Sequence, residues 1–330
     1  MDHSHHQPAG FHGMGRATRV QIRRNLFLED SFDALAHLGR DKLKGRIQVE
    51  FISEQGLAEA GIDGGGLFKS FLDDFIKHAF DPISGLFTLN EDQLFLPNPG
   101  SGIALENHLQ YFNFVGKMLG ICMYNRTLVE ATLSNVFLNS LLGKKNALDD
   151  LFSYDRALHR SLMALKLLAH QPVPAGDPDP VERLGLFFEA NTSKYDMDAT
   201  EELVPRGSTI PVNKSNLHSY IHRYANYKLN VEISAQTKAF LSGFRELIPA
   251  EWLRMFSSFE LQLLISGEQK PIDIDEMRKH INYGGGYSGM HNKLISLVHF
   301  SYTCLCAHVF MCRHASFHSR LLASCGRDDT

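Results

Sequence analysis

The residues best suited to chemistry lie near the C-terminal end of the sequence, where cysteine and histidine cluster. They are Cys304, Cys306, His308, Cys312, His314, His318 and Cys325. Thiolate and imidazole groups are the usual ligands of structural zinc, and a thiolate is also the nucleophile of thioester chemistry. The Cys-x-Cys spacing is tighter than in common zinc sites, and no second ligand pair follows at regular spacing. We therefore predict no metal site and no cofactor here.

A glycine run just upstream is the next feature that bears on function. Gly284, Gly285 and Gly286 stand between two tyrosines, and three consecutive glycines suit neither a helix interior nor a strand interior. We predict a hinge over residues 283–289, which joins the well-patterned body of the chain to a segment of different character.

A second glycine run, Gly64–Gly66, precedes the amphipathic segment Leu67–Leu72. Glycine-rich turns before helices bind phosphate in some proteins. This run lacks a following Gly-Lys-Ser or Gly-Lys-Thr, and Asp63 would repel an anion. The pattern favours a tight turn that caps a helix, with phosphate binding as the weaker alternative.

Composition excludes several classes of function. The 330 residues include 33 Lys and Arg against 37 Asp and Glu, for a net charge of −4, so no basic excess indicates a nucleic-acid partner. No apolar run reaches the length of a membrane span, so we expect no membrane association. Four of the five cysteines are in the tail, and Cys122 stands alone in the body. A body without disulfides indicates a reducing compartment, and we expect an intracellular, cytoplasmic location.

The N-terminal segment differs from the rest of the body. Residues 1–19 are rich in glycine and histidine and carry no hydrophobic periodicity, so we predict that they are disordered. They also lack the charged start and apolar core of a signal peptide.

From Val20 onward, hydrophobic spacing predicts an α+β fold that is mainly α-helical. Apolar residues recur at helical spacing over 108–123, over 135–142 and again from Ser215. Polar and apolar residues alternate over Arg46–Phe51, as in a half-buried strand. The run 184–188 also predicts a strand, and two short segments within 85–95 can pair as a hairpin.

Seven short strings then resemble one family, the HECT-type ubiquitin-protein ligases, and they occur in the family's order from roughly Val20 to Val298. The strings are EAGIDGGG (59–66), YFNFVGKMLG (111–120), ELVP (202–205), IPV (210–212), EWLRMF (251–256), LISG (264–267) and YGGGY (283–287). A single string would be weak evidence, whereas seven in order make the resemblance specific.

The resemblance implies a bilobal domain whose N-lobe spans residues 20–282. It places a large helical subdomain over 20–150 and 240–282, and a small α/β subdomain that binds the conjugating enzyme over about 151–239. Residues 283–289 become the hinge that lets a C-lobe with the catalytic cysteine move. Residues 290–330 read as the start of a C-lobe followed by a divergent Cys/His-rich tail.

The resemblance also implies an apolar groove in the small subdomain that accepts a loop phenylalanine of the conjugating enzyme. Its expected residues are Leu158, Leu162, Leu165 and Leu168 on one helix, Leu184 and Leu186 on a strand, and Tyr220 on an opposite helix. Spacing alone favours ordinary core positions for these residues, and the resemblance favours the groove. The proline-rich loop 171–180 is longer than the family leads us to expect, and Leu168 stands where relatives present an aromatic residue. Both departures affect the shape of the groove.

The chain departs from the family after the hinge. The signature Leu-Pro-Thr-x-x-Thr-Cys-x-Asn is absent, and Thr303-Cys304 matches it only as a dipeptide that lies too close to the hinge. We therefore assign no catalytic residue. The resemblance implies a transferase that moves ubiquitin from a conjugating enzyme to a substrate lysine, but we expect this chain to be truncated and catalytically incompetent. The alternative is a non-catalytic module that docks or sequesters ubiquitin-charged conjugating enzyme, or that pairs with an intact ligase.

Overall fold

The computed structural model of the protein describes residues 17–53, 57, 66–172, 179–192 and 199–268. Within these ranges the fold is α+β and mainly α-helical, as predicted. The helices are α1 (Phe27–Leu35), α2 (Arg40–Leu43), α3 (Gly66–Phe80), α4 (Ser101–Ala104), α5 (His108–Tyr124), α6 (Asn135–Leu141), α7 (Leu151–Tyr154), α8 (Arg156–Ala169), α9 (Leu217–Asn226), α10 (Ser234–Leu247), α11 (Ala250–Leu253) and α12 (Ser258–Ser266). The strands are β1 (Thr18–Arg23), β2 (Ile47–Ile52), β3 (Phe87–Leu89), β4 (Phe95–Pro97), β5 (Glu189–Thr192) and β6 (Ala199–Glu202).

Strands β1 and β2 form a parallel pair near the start of the chain. In each strand the buried residues alternate with exposed ones, so that Val20 and Ile22 of β1 share a buried face with the paired Val49 and Phe51 of β2. Strand β1 begins at Thr18, inside the segment that the sequence predicts to be disordered, because the Thr18 amide already bonds to a carbonyl next to β2. Residues 1–16 lie outside the described part of the chain.

The main core is built around helices α5 and α10, which cross at very short range. An added Cβ on Gly116 of α5 would lie 2.1 Å from the Phe240 carbonyl oxygen, and one on Gly243 of α10 would lie 1.9 Å from the Asn113 carbonyl oxygen. Only glycine allows backbones to approach this closely. Beside this contact, the Lys117 ammonium is nearly buried, pairs with Glu246 at 3.2 Å and donates to the Ala36 carbonyl at 3.1 Å.

The buried side chains form two clusters. The larger cluster draws on residues 20–141 and 240–265, and it holds most of the buried phenylalanines. The smaller cluster draws on residues 136–233. The chain therefore leaves the large cluster, builds the small one and returns through α10. The exact domain boundaries expected from the sequence stay a prediction.

The two clusters are tied together by the β3–β4 hairpin. The Asn90 side chain donates to the Ser153 carbonyl at 2.8 Å, and the Arg156 guanidinium reaches both oxygens of Asp92 at 2.6 and 2.8 Å. The hairpin itself was predicted, and its strands pair one or two residues later than the sequence suggests. These contacts orient the first turn of α8 relative to the large cluster.

The search for membrane spans covered the described helices, and none of them is long and apolar enough to cross a bilayer. The predicted hinge with Gly284, Gly285 and Gly286, and the tail over 290–330, lie outside the described residues. So does the glycine run before α3, apart from Gly66, at which that helix begins.

The close α5–α10 contact generates the first prediction. Gly116→Ala and Gly243→Ala should each destabilise the fold by about 3 kcal/mol or more, because the new methyl group meets a backbone carbonyl that cannot rotate away. Urea denaturation followed by circular dichroism measures the change. Gly39→Ala is the matched control, since its Cβ meets no atom within 4 Å, and it should cost less than about 1 kcal/mol. Equal midpoints for all three variants would contradict the packing described here.

Candidate functional site in the small subdomain

Helix α8 carries the predicted leucine stripe, and its start is well defined. The Asp155 side chain caps the helix by accepting the Leu158 amide at 2.8 Å. Helical periodicity then brings Leu158, Leu162 and Leu165 to one face. Leu162 is 2% exposed, and its two neighbours pack half-buried against the smaller cluster. The three leucines therefore share one face of α8, and the central one, Leu162, is buried in the smaller cluster.

Helix α9 packs against α8 and carries Tyr220, the residue that the sequence analysis expects opposite the leucine stripe. Tyr220 is 4% exposed, and its ring meets Phe188 edge-on at 5.5 Å between centroids. Burial is the main cause that raises the pKa of Tyr220 to about 12, with a smaller contribution from Tyr224. A neutral phenol in this position belongs to the core of the small subdomain, and the role of Tyr220 in a groove stays a prediction.

The structure brings five of the seven predicted groove residues into one cluster. Leu162 and Tyr220 are buried members of it, and three more residues pack on its edge: Leu158, Leu165 and Leu186. Leu168 is half-buried and Leu184 is 48% exposed, and neither belongs to the cluster. Their role in docking stays a prediction.

The strand predicted over 184–188 is wrong at its start. Residues Glu182–Leu184 form a 3₁₀ turn, and Gly185 follows with a φ of 62°, a left-handed conformation that ends regular extended pairing. The chain becomes extended only at Phe187, which makes a single antiparallel bridge with Pro211, and strand β5 starts at Glu189. The turn projects Leu184 away from the core.

Three exposed apolar side chains lie on or beside this turn and bridge. Leu184, Phe187 and Ile210 are 48%, 42% and 37% exposed. The bridge holds Phe187 opposite Pro211, the neighbour of Ile210. We refer to Leu184, Phe187, Ile210 and Pro211 together as the docking face. Sequence reasoning missed Phe187 and Ile210, although the run Leu186–Phe188 alternates in the way that points Phe187 outward.

A carboxylate fixes the loop that presents Ile210 and Pro211. The two oxygens of Glu202 accept the Arg206 amide at 2.9 Å, the Ser208 amide at 3.2 Å and the Ser208 hydroxyl at 2.6 Å. The hydroxyl and amide of Ser208 are the main reason that the pKa of Glu202 lies below its ordinary value. Arg206 takes a left-handed φ of 59° at this turn. The resembling string ELVP therefore contributes a positioning residue to the docking face.

A buried ion pair lies where the small subdomain returns to α10. The Lys228 ammonium meets both oxygens of Glu232, at 2.9 and 3.0 Å, and Glu232 is 2% exposed. Both residues lie on or next to the π-helical segment Tyr227–Val231, which interrupts the regular helix between α9 and α10. Burial raises the pKa of Tyr154 well above its usual range, and Glu232 adds to this effect. The Glu232 carboxyl group is therefore paired with a lysine in the interior.

The described residues contain one cysteine, Cys122, and it lies in the large cluster at 1% exposure. Burial raises the pKa of this thiol to about 12, so it is held as a neutral thiol without access to an acyl donor. Across these same ranges, no three His, Cys, Asp or Glu side chains come together as metal ligands. The candidate site is an exposed apolar surface.

Comparisons with known proteins agree with this architecture. Residues 73–301 match the family model described as HECT-domain (ubiquitin-transferase). The chain is 41% identical to "E3 ubiquitin-protein ligase UPL6" of Arabidopsis thaliana over 285 residues, which cover 86% of this chain and 27% of that protein. It is also 41% identical to "Ubiquitin-protein ligase E3B" of Homo sapiens over 286 residues, which cover 85% of this chain and 26% of that protein.

A more distant relative is "E3 ubiquitin-protein ligase HUL5" of Saccharomyces cerevisiae, at 34% identity over 278 residues, 83% of this chain and 29% of that protein. The chain therefore spans about a quarter of the length of these relatives. The family match covers more than half of the chain and takes in the whole of the smaller buried cluster and most of the larger one. The chain belongs to the HECT-domain family of ubiquitin transferases.

Proposed function

We propose that the chain binds a ubiquitin-conjugating enzyme charged with ubiquitin, and that the docking face of the small subdomain is the contact surface. Members of this family act with conjugating enzymes and ubiquitin, which gives the class of partner. The observation that carries the proposal is the exposure of Leu184, Phe187 and Ile210 beside a well-packed core. Exposed aromatic and aliphatic side chains on a rigid base are typical of interface anchors.

Rigidity of the base supports this assignment. Leu162 and Tyr220 are buried in the core of the small subdomain, and the ring of Tyr220 contacts Phe188 at the end of the segment 182–188. Glu202 fixes the adjoining loop by three hydrogen bonds. A surface held in place before binding loses little conformational entropy when a partner binds, so more of the contact energy appears as affinity.

We further propose that the chain forms no ubiquitin thioester of its own. Transthiolation needs a thiolate close to the thioester carbon. The thiol of Cys122 is buried and its pKa is raised to about 12. In the tail, Cys304 lacks the Asn that the family places two residues after the catalytic cysteine. The chain then acts by holding the conjugating enzyme, either for an intact ligase or in competition with it.

The docking face generates a binding prediction. Leu184→Asp combined with Phe187→Asp should weaken binding of a charged conjugating enzyme at least about 30-fold, because two apolar anchors become charged and desolvated. Biolayer interferometry with the full chain measures this change. Ile83→Asp is the matched control, since Ile83 is 92% exposed on the large subdomain, and it should leave affinity within about twofold. Unchanged affinity in the double variant would remove the docking face from the proposal.

Substitutions in the buried layer should behave differently. Leu162→Asp combined with Tyr220→Ala removes a core ring and buries an unpaired charge, so the small subdomain should lose more than about 5 kcal/mol and unfold. Tryptic digestion should then cut within 151–233. Loss of binding in this variant reports on folding. A variant that resists trypsin as the wild type does, with an unchanged urea midpoint, would show that these two side chains are not core.

The absence of a thioester is tested by a single-turnover reaction. The chain is mixed with a charged conjugating enzyme and run on a non-reducing gel, with and without thiol reductant. We expect no reductant-sensitive ubiquitin adduct on the wild type and the same result for Cys122→Ser. An adduct that disappears in Cys304→Ala, or in another tail cysteine variant, would contradict the proposal and assign the chain a catalytic nucleophile.

A further inference from the structure

A second concave surface lies between helices α8 and α9. Lys166, Ala169 and His170 at the C-terminal end of α8 and Leu217, His218 and Ile221 on α9 line it, together with Lys214. None of these seven residues belongs to the docking face.

This second surface is a pocket of about 300 Å³. Its rim carries four basic side chains, namely Lys166, His170, Lys214 and His218. Its floor is apolar and consists of Ala169, Leu217 and Ile221, all of which are buried members of the smaller cluster. We call it the basic pocket. The floor is as rigid as the core to which it belongs.

The two lysine ammonium groups of the basic pocket form no ion pair with the described residues. The oxygens of Asp179 accept the Lys214 backbone amide at 2.7 Å and the Val181 amide at 2.9 Å. The pocket therefore offers two lysine ammonium groups to an outside partner.

One of the two histidines is also oriented by the fold. The Nδ1 atom of His170 lies 2.7 Å from the Lys166 carbonyl oxygen. A carbonyl oxygen only accepts, so Nδ1 is the donor of this bond. That bond fixes the ring at the end of α8, where His170 lines the pocket. The rim is thus partly preorganised for a polar ligand.

We propose that the basic pocket binds an acidic segment of a partner protein, with a carboxylate between Lys166 and Lys214 and a neighbouring apolar side chain on the floor. The lysines supply charge complementarity, and the floor formed by Leu217 and Ile221 supplies apolar contact. A free phosphate would use the charge and gain nothing from the floor. A volume near 300 Å³ is at the small end of ligand pockets and suits one or two side chains.

The test uses the full chain and fluorescein-labelled, capped hexapeptides that place Asp or Glu beside Leu, Ile or Phe. Fluorescence polarisation at 50 mM and 300 mM NaCl should show saturable binding by at least one peptide, weakened by salt. Lys166→Gln combined with Lys214→Gln should reduce that affinity at least tenfold. The control, Lys145→Gln combined with Lys238→Gln, removes two exposed lysines elsewhere and should leave affinity within twofold.

Two matched peptides separate the charge from the apolar contact. Exchange of Asp and Glu for Asn and Gln should abolish binding, and exchange of the apolar residue for Ser should weaken it at least fivefold. The proposal is overturned if no peptide binds saturably, or if both lysine pairs have equal effects. It is also overturned if the Ser peptide binds equally well and inorganic phosphate displaces it, which would define a simple anion site. Because Leu184→Asp combined with Phe187→Asp leaves the basic pocket intact, that variant should bind the peptide normally even if the docking face proves wrong.

Discussion

The contact between α5 and α10 is the constraint on which the rest of the structure depends. Gly116 and Gly243 let two backbones meet at a distance that any side chain would prevent. Residues 20–141 and 240–265 thereby form one core, although nearly a hundred residues separate them along the chain. Those intervening residues then have both ends held on the same body, and they build the small subdomain as an insertion.

In the small subdomain, one set of residues is buried and supports the fold, and another set is exposed and forms the docking face. The core of the subdomain holds Leu162 and Tyr220, and its edge exposes Leu184 and Phe187 beside Ile210. Residues 184–188 are apolar apart from Gly185. The turn at Gly185 and the bridge from Phe187 to Pro211 leave some of these side chains buried and others exposed. A flat strand over the same residues would alternate and would place fewer of these side chains together on one surface.

Local periodicity predicts much of this fold, because helices depend on neighbours along the chain. The bounds of α5 and α6 follow from apolar spacing, and the predicted leucine stripe falls on α8. The strand over 184–188 was predicted wrongly, since the left-handed conformation of Gly185 depends on how the turn packs and is not visible in a pattern of apolar residues. The sequence also did not show which of the predicted groove residues are buried and which are exposed. Their burial depends on non-local contacts, such as that of Phe188 with Tyr220, which apolar spacing does not encode.

Hydrogen–deuterium exchange tests whether a charged conjugating enzyme binds to the docking face. The full chain is exchanged alone and with a saturating amount of the conjugating enzyme, and protection is mapped by mass spectrometry. We expect new protection confined to peptides that cover 182–188 and 207–213, because the turn and the loop fixed by Glu202 carry the exposed anchors. Protection on α11 and α12, with none over 182–188, would contradict this proposal.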